Sequence, residues 1–234
     1  MNYNNYVPIL TYHRIVPIKP SVPGHGIWVL VDKFRQQMRL LHQLGFNTIS
    51  LDMLASGGKF PKKPIIITFD DGYQDNYIYA FPILKQYGFT ATIFLVSGQI
   101  SGVNQWDIGH GEEQLPLLSI DEIQDMARYG ISFGGHTVTH PHLSQLDRDK
   151  AFEEIVQCKK ELEEIVKQEV TAFCYPYGEF DHEVKQMVKN ARFKYACACD
   201  TEVDDRYELK RIQVFPKTDL FGFWRKTQWW YKRN

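Results

Sequence analysis

Residues 64–76 read PIIITFDDGYQDN and contain the most strand-like apolar run of the chain. Three isoleucines lead directly to two adjacent aspartates, Asp70 and Asp71, which are followed by Gly72. Neighbouring carboxylates repel each other, and both resist burial. In a regular strand they would point to opposite faces, so they reach one site only where the strand breaks, as glycine permits. The stretch therefore predicts a buried strand that ends at a functional site, where another group offsets the repulsion.

Strand-like and helix-like segments alternate about seven times, which is typical of a parallel sheet, open or closed into a barrel. The segments predicted as strands are residues 7–13, 47–51, 64–70, 89–96, 131–135, 170–176, 194–199 and 211–215. A helix is predicted over residues 32–46, with Asp32 as its cap. Another, over residues 119–130, begins with a capping box formed by Ser119 and Glu122. Functional residues of such folds gather at the carboxyl ends of strands, which is where the paired aspartates lie.

The composition is that of a globular chain and excludes several classes of protein. Of the 234 residues, 44% are hydrophobic, and the net charge is −1. We therefore expect one domain over residues 1–234 and no nucleic-acid partner. The four cysteines show no zinc-binding CxxC spacing and are expected to be reduced and mostly buried. The N-terminus lacks a signal-peptide pattern and no window has the apolar length of a membrane span, so a cytoplasmic location is predicted.

The C-terminal residues 221–234, FGFWRKTQWWYKRN, are aromatic and basic. Such a segment can lie at a membrane surface, which makes a membrane one candidate partner. Packing against the rest of the domain is the more common use of these residues, and it is the interpretation that we favour.

A second predicted strand ends in a cluster of histidines. Residues 132–143 read SFGGHTVTHPHL, which places His136 and His140 four residues apart, with His142 close by. A single turn brings residues at this spacing to one side of the chain. Two imidazoles and one carboxylate form a facial set of metal ligands that leaves positions open for water and substrate. A histidine pair or an Asp-Asp-Gly turn alone is usually a surface feature, and it is their joint occurrence at strand ends that favours a metal site.

Three stretches of the chain resemble the motifs of one family. TFDDGY at residues 68–73 and HTVTHPHL at residues 136–143 resemble the first two motifs of the polysaccharide deacetylases, carbohydrate esterase family 4, also called the NodB-homology domain. AFCYPYGEFDHEV at residues 172–184 resembles the third motif, and the likeness extends over most of the chain. The resemblance implies an α/β fold, a distorted (β/α)7-type barrel that forms a single domain. It also implies hydrolysis of an N-acetyl group on an amino sugar, in a glycan or a glycan precursor.

The resemblance implies a role for each matching residue. Asp71, His136 and His140 fall on the metal ligands of the family. Asp70 falls on its catalytic base, and Tyr177 of the YPYG turn falls on the residue whose backbone N–H binds the oxyanion. The implied cofactor is one divalent metal ion, with Zn²⁺ expected first and Ni²⁺ or Co²⁺ as alternatives.

Two residues of the family pattern are missing from their usual places. The third motif usually begins with an arginine that braces the base, but AFCYP contains none, and Arg211 in a late predicted strand is the candidate replacement. The usual C-terminal Leu-x-x-His, which supplies the general acid, is also absent. Instead, residues 9–15 read ILTYHRI, which resembles the permuted branch that deacetylates poly-N-acetylglucosamine exopolysaccharides. His13 is therefore predicted to be the acid.

Four further residues are predicted to bind the substrate, an N-acetylated saccharide. Trp106 and Asp107 lie in a long predicted loop, residues 97–118, where an aromatic face can stack on a sugar ring. Anchoring of the loop is the alternative role for this pair. Tyr175 and Pro176 belong to the YPYG turn.

Three other functions stay open at this point. The displaced arginine and histidine are compatible with a carbohydrate-binding barrel that has lost catalysis, although the intact metal set argues against it. Esters yield to the same chemistry as amides, so O-acetyl groups of a saccharide are a second alternative. Two histidines and one carboxylate also serve iron-dependent oxygen chemistry, but a spare carboxylate beside the metal fits hydrolysis better.

Overall fold

The computed structural model describes residues 7–21, 26–56, 59–108, 113–199, 205–228 and 231, with the backbone alone at 55 and 56. Its strands are β1 (Ile9–Tyr12), β2 (Arg14–Val16), β3 (Trp28–Leu30), β4 (Asn47–Thr48), β5 (Pro64–Phe69), β6 (Thr92–Leu95), β7 (Ser132–Gly135), β8 (Ala172–Cys174), β9 (Tyr195–Ala198), β10 (Leu209–Lys210) and β11 (Ile212–Gln213). Its α-helices are α1 (Val31–Gln43), α2 (Leu51–Ser56), α3 (Phe81–Tyr87), α4 (Ile120–Tyr129), α5 (Arg148–Val166), α6 (His182–Asn190) and α7 (Leu220–Lys226). A π-helical turn, Asn76–Ala80, runs directly into α3.

The strands of the main sheet pair in parallel in the order β10-β9-β8-β7-β6-β5-β1-β11. Only Arg211 separates β10 from β11, so one short segment pairs with β9 at its start and with β1 at its end. Leu209 lies opposite Cys197, and Ile212 lies opposite Leu10. Thus β1, β5 to β9 and the β10–β11 segment close a ring of seven strand positions. This confirms the predicted distorted (β/α)7-type barrel.

Side chains alternate between the inside of the barrel and the layer that separates the barrel from its helices. The inner cluster of buried side chains includes Ile9, Ile66, Phe94, Ala172 and Tyr195. A larger cluster joins the other face of the strands to the helices. Toward the carboxyl ends of the strands, the Thr11 and Thr68 hydroxyls hydrogen-bond at 3.1 Å. The interior of the barrel therefore becomes polar toward the end at which the paired aspartates lie.

The starts of α4 and α1 test two predictions from local sequence. α4 begins with the predicted capping box, in which the Ser119 hydroxyl accepts from the Glu122 N–H and the Glu122 carboxylate accepts from the Ser119 N–H. The prediction for Asp32 is wrong, because α1 begins at Val31 and Leu30 occupies the cap position. Asp32 instead lies in the first turn, where a negative charge complements the helix dipole.

The C-terminal segment packs on the barrel over the part that the structure describes. Phe223 of α7 is fully buried, and α7 contacts α1. Trp229 and Trp230, which belong to the segment considered for membrane contact, lie outside the described residues. None of the described helices combines the length and the apolar character that crossing a bilayer requires.

Gly134 in β7 faces the barrel interior, and we expect its replacement by alanine to destabilise the fold. A Cβ atom there would lie 2.5 Å from Phe94 Cδ1 and 2.9 Å from the Ala172 carbonyl oxygen. Overpacking of this kind costs about 1–3 kcal/mol, and urea unfolding should show that loss for Gly134→Ala. Ser132→Ala on the same strand is the control and should stay within about 0.5 kcal/mol of wild type. Equal stability of the two variants would contradict the packing of the barrel.

Candidate metal centre and active site

The backbone leaves strand geometry immediately after β5. Asp71 and Gly72 both adopt positive φ, 72° and 75°, so the break predicted at the glycine begins one residue earlier. A Cβ atom on Gly72 would lie 2.7 Å from Leu95 Cδ2, so a larger residue would displace the end of the leucine side chain in addition to adopting an unfavourable φ. A residue with a side chain costs about 1–2 kcal/mol in the left-handed region. Contacts of the surrounding fold therefore hold Asp71 in place.

Asp71, His136 and His140 converge at the carboxyl ends of β5 and β7. The Oδ1 atom of Asp71 lies 3.4 Å from His136 Nε2 and 3.6 Å from His140 Nε2. The two Nε2 atoms are 3.2 Å apart. All three residues are buried, and their ligand atoms lie within 4.8 Å of one another, so the group could hold one metal ion.

The surroundings of the two imidazoles fit a cation. His136 Nδ1 lies 2.7 Å from the Cys174 carbonyl oxygen, which can only accept, so Nδ1 carries a proton and Nε2 faces the cluster. Burial and the neighbouring His136 lower the pKa of His140 to about 3. Burial also opposes charge on His136, but Cys174 and the two aspartates outweigh it and raise the pKa of that imidazole. The cluster therefore attracts positive charge, which a divalent cation would supply in place of a proton.

The turn between the two histidines is strained, and α5 restrains it. Thr137 and His140 have positive φ of 69° and 63°. The Thr137 hydroxyl accepts a hydrogen bond from the His140 N–H at 2.9 Å. One carboxylate oxygen of Glu154 accepts from the N–H groups of Val138 and Thr139, at 2.8 and 2.9 Å. Sequence reasoning missed Glu154, because an acidic residue on an amphipathic helix has the pattern of a solvated surface group.

A buried ion pair joins Asp70 to Arg211. Nη1 and Nη2 of the arginine donate to the two carboxylate oxygens at 2.6 and 2.7 Å. Burial alone would raise the pKa of Asp70, but the charge and hydrogen bonds of Arg211 outweigh it and lower the pKa. Because Arg211 is the residue between β10 and β11, closure of the barrel brings it within reach of the end of β5. The arginine named as a replacement for the missing motif residue thus contacts the predicted base.

His13 directly follows β1, the strand between β5 and β11. Its Nε2 atom lies 3.7 Å from Asp70 Oδ2, and its side chain is 19% exposed. The described residues offer the imidazole no hydrogen bond, whereas its backbone oxygen accepts from the Asn76 side chain at 2.8 Å. The histidine predicted as the general acid therefore borders the predicted base.

The YPYG turn closes one side of the metal cluster. Tyr177 has a positive φ of 59° within the short 3-10 turn Pro176–Gly178. Its half-exposed ring stacks on His142, with centroids 3.9 Å apart, and meets the His140 ring edge-on at 4.6 Å. His142 hydrogen-bonds with Glu179 and is not part of the cluster. The structure thus brings Tyr177 to the metal ligands, and the role of its N–H stays a prediction.

The loop pair predicted to bind substrate lies at the edge of this site. The Trp106 ring is 4.7 Å from the His140 ring, so the indole borders the metal cluster. Asp107 accepts a hydrogen bond from the Asn104 side chain at 2.7 Å, as a loop anchor does. Trp106 therefore borders the metal cluster and Asp107 takes part in the structure of the loop, while contact of either residue with a substrate stays a prediction.

The other predicted pair lies in the core. Tyr175 and Pro176 are both buried, and the Tyr175 hydroxyl donates to the Tyr207 carbonyl oxygen at 3.0 Å. The Tyr175 ring stacks on the Phe180 ring, with centroids 4.4 Å apart. This corrects the prediction that these side chains bind substrate, because neither presents a surface to it.

Asp75 and Asn76 connect the aspartate loop to the segment around His13. The Asp75 carboxylate accepts from the Ile15 N–H at 3.0 Å and from Arg14 Nε at 3.3 Å. Burial raises the pKa of Asp75 to about 6, although these donors favour its charge. Sequence reasoning missed both residues. The sequence offers one indication of their role, which is that polar residues continue directly after the DDGY stretch.

Comparison with known proteins identifies relatives over most of the chain. A family model described as polysaccharide deacetylase matches residues 57–196. YxkH of Bacillus subtilis (strain 168), a protein assigned to the polysaccharide deacetylases, is 31% identical over 218 residues, which cover 90% of this chain and 72% of that protein. A poly-β-1,6-N-acetyl-D-glucosamine N-deacetylase of Staphylococcus aureus (strain MRSA252) is 28% identical over 173 residues, which cover 67% of this chain. The match spans 56% of that deacetylase, little more than half of its length.

Solved structures share the fold. The deacetylase PplD of Streptococcus pyogenes, in complex with acetate, has a TM-score of 0.83 and 26% identity, and the match covers 95% of this chain and 98% of that chain. BC0361, a polysaccharide deacetylase of Bacillus cereus, has a TM-score of 0.80 and 26% identity, over 95% of this chain and 69% of that chain. IcaB of Ammonifex degensii, at 24% identity, has the same fold with a TM-score of 0.77, over 97% of each chain.

Removing the partner of the buried Asp70 carboxylate should destabilise the protein strongly. We expect Arg211→Met to lower the free energy of unfolding by about 3–5 kcal/mol, because the carboxylate is left charged and unpaired. The double variant Arg211→Met, Asp70→Asn is the control and should recover most of that loss, since it leaves no unpaired charge at position 70. Guanidinium unfolding at neutral pH measures both. A single variant as stable as wild type would contradict the burial of the pair.

Asp75 should give the stability a pH dependence of defined sign. Its pKa is about 6 in the folded protein and about 3.9 in an unfolded chain. Between these values the folded state binds more protons than the unfolded state. The free energy of unfolding should therefore fall as pH rises from about 4 to 6, by up to about 3 kcal/mol for this group. Asp75→Asn removes this contribution. The difference in free energy of unfolding between variant and wild type, measured with urea, should therefore shift in favour of the variant as pH rises across that range. Parallel curves for the two proteins would refute the assignment.

Proposed function

The chain belongs to the polysaccharide deacetylase family, and from this premise we propose that it is a metal-dependent hydrolase that removes acetyl groups from an N-acetylated amino sugar in a glycan or glycan precursor. One observation carries the proposal: three buried ligands meet beside a spare, arginine-bound carboxylate and a histidine. The relative from Staphylococcus aureus that is named for N-deacetylation of poly-β-1,6-N-acetyl-D-glucosamine supports the N-acetyl group as the one removed.

Asp71, His136 and His140 are the proposed metal ligands. Zn²⁺ is the proposed ion, with Ni²⁺ and Co²⁺ as alternatives, because neutral imidazoles and a carboxylate suit all three. When bound, such an ion lowers the pKa of a coordinated water and stabilises negative charge on a carbonyl oxygen. Three protein ligands leave coordination positions for that water and for the substrate.

Asp70 is the proposed general base. Its lowered pKa keeps the carboxylate ionised at neutral pH, and Arg211 holds both of its oxygens in a fixed orientation. The carboxylate can therefore accept the proton of the attacking water while a new C–O bond forms. The tetrahedral centre that results carries an oxyanion, to which the Tyr177 N–H is proposed to donate.

His13 is the proposed general acid. Breaking the C–N bond leaves an amine nitrogen that needs a proton, and a protonated imidazole next to the base can donate it. Its distance of 3.7 Å from Asp70 supports this role, because the acid and the base must serve the same small substrate group. Trp106 is proposed to stack on the sugar ring, since its indole borders the His140 ring.

Loss of a metal ligand should remove both the metal and the activity. We expect Asp71→Asn and His140→Ala to purify without stoichiometric metal and to release acetate from β-1,6-linked N-acetylglucosamine oligomers about 10³-fold more slowly. Elemental analysis and an acetate assay measure these effects. Removal of metal from the wild type with a chelator should abolish activity. The rate of acetate release after addition of Zn²⁺, Co²⁺ or Ni²⁺ then ranks the three ions.

The matched control is His142→Ala, which removes a neighbouring histidine that pairs with Glu179 instead of joining the cluster and should keep its metal. An Asp71→Asn variant that retained both metal and activity would overturn the proposal. Glycan binding without acetate release from any acetylated sugar would favour a barrel that has lost catalysis. Release from O-acetylated sugars alone would favour an esterase.

A further inference from the structure

We propose that Asp75 and Asn76 are positioning residues that fix His13 beside Asp70. The inference rests on the proposed function, in which His13 is the general acid. Both residues act through residues 13–15, because the hydrogen bonds that they make to this segment are to backbone groups and to the Arg14 side chain rather than to the imidazole.

The imidazole of His13 takes its position from its own backbone. The described residues offer the ring no hydrogen bond, and its contact with Asp70, at 3.7 Å, is longer than a hydrogen bond. A side chain without a fixed partner is located by its rotamer and by the Cα atom that carries it. Residue 13 lies just beyond the end of β1, so its main chain is no longer part of the strand.

Two hydrogen bonds attach this main chain to the aspartate loop. The Ile15 N–H donates to Asp75 Oδ1 at 3.0 Å, and Asn76 Nδ2 donates to the His13 carbonyl oxygen at 2.8 Å. Asn76 Nδ2 also lies 2.9 Å from Asp75 Oδ1, which ties the two side chains together. The Arg14 Nε atom lies 3.3 Å from the other carboxylate oxygen, and β2, which begins at Arg14, also pairs with β3. The backbone is thus held on both sides of residue 14.

One loop therefore carries the proposed base and the anchors of the proposed acid. It begins with Asp70 and ends at Asn76, where the π-helical turn Asn76–Ala80 starts. Turns of this kind are frequent at functional sites. A shift of His13 relative to Asp70 would require this short loop to deform.

Both anchors carry a cost in stability. Burial raises the pKa of Asp75 to about 6, so its charge at neutral pH is held against a desolvation penalty. The side-chain oxygen of Asn76 is buried without a hydrogen-bond partner among the described residues. Costly polar groups of this kind persist where they maintain a functional geometry. An amide at position 75 would have one acceptor oxygen, so it would satisfy Ile15 or Arg14 and turn its NH₂ group against the other donor.

The test compares two substrates that differ in their need for an acid. A β-1,6-linked N-acetylglucosamine oligomer loses its acetyl group by cleavage of a C–N bond, whose nitrogen must gain a proton. 4-Nitrophenyl acetate expels a phenolate that leaves without one. Asp75→Asn should lower kcat for the oligomer by about 10-fold to 100-fold, with KM and bound zinc unchanged. Hydrolysis of the aryl ester should stay within about twofold of wild type.

A double-variant cycle separates positioning from general damage. His13→Gln should lower kcat for the oligomer at least as much as Asp75→Asn, and the combination should be no slower than His13→Gln alone. Glu163→Gln is the matched control, because Glu163 is another carboxylate that accepts a backbone N–H, that of Val170 at 3.0 Å. It should leave both reactions unchanged.

Equal losses on both substrates, additive losses in the double variant, or an unchanged kcat for the oligomer would each overturn the positioning role. If wild type released acetate from no N-acetylated sugar, the proposed function would fail on its own account. The positioning role of Asp75 would then be tested by a crystal structure of the Asp75→Asn variant. His13 Nε2 should there lie farther from Asp70 Oδ2 than 3.7 Å, by about 1 Å or more, with the metal ligands unmoved. An unmoved His13 would overturn the inference.

Discussion

The architecture of the site depends on one buried ion pair, in which Arg211 binds both oxygens of Asp70. Each of these charges loses several kcal/mol of solvation when it leaves water, and only a well-aligned partner offsets that loss. The pair joins the seam of the barrel to the strand end that carries the proposed catalytic loop. Arg211 also lies over the Phe94 ring at 5.4 Å, which connects the pair to the apolar interior. The environment that keeps the buried carboxylate ionised therefore depends on closure of the sheet at Arg211.

The metal cluster next to this pair contains several residues with strained backbone conformations. Asp71, Thr137, His140 and Tyr177 all have positive φ, and all four lie in the metal cluster or against it. Each such residue costs about 1–2 kcal/mol. The restraint comes from outside the cluster, as when the Glu154 carboxylate accepts the N–H groups of the histidine turn. The fold thus gives up stability to hold the ligands in position before any substrate arrives.

Short contiguous patterns made the architecture and the metal cluster predictable, because strand–helix alternation indicates the barrel and the DDG and HTVTH stretches bring three ligands to one edge. Arg211 could be named only as a candidate, since its contact with Asp70 exists only when the last strand closes the ring. Tyr175 was misassigned to the substrate, because the YPYG pattern does not show that its ring is buried against Phe180. Glu154 and Asp75 could not be predicted, because each accepts N–H groups remote in the chain and no local pattern marks such a carboxylate.

The ring closes between the first strand and the last, with Leu10 opposite Ile212. A contact between residues so far apart in sequence forms only after a large loss of chain entropy. On the ribosome, every proposed metal ligand and His13 emerge before Arg211 does. A nascent polypeptide that stops short of residue 209 would carry the whole ligand set beside an unpaired carboxylate, with two sheet edges open to wrong partners. The proposed active site is therefore complete only after the strand segment that carries Arg211 has been made.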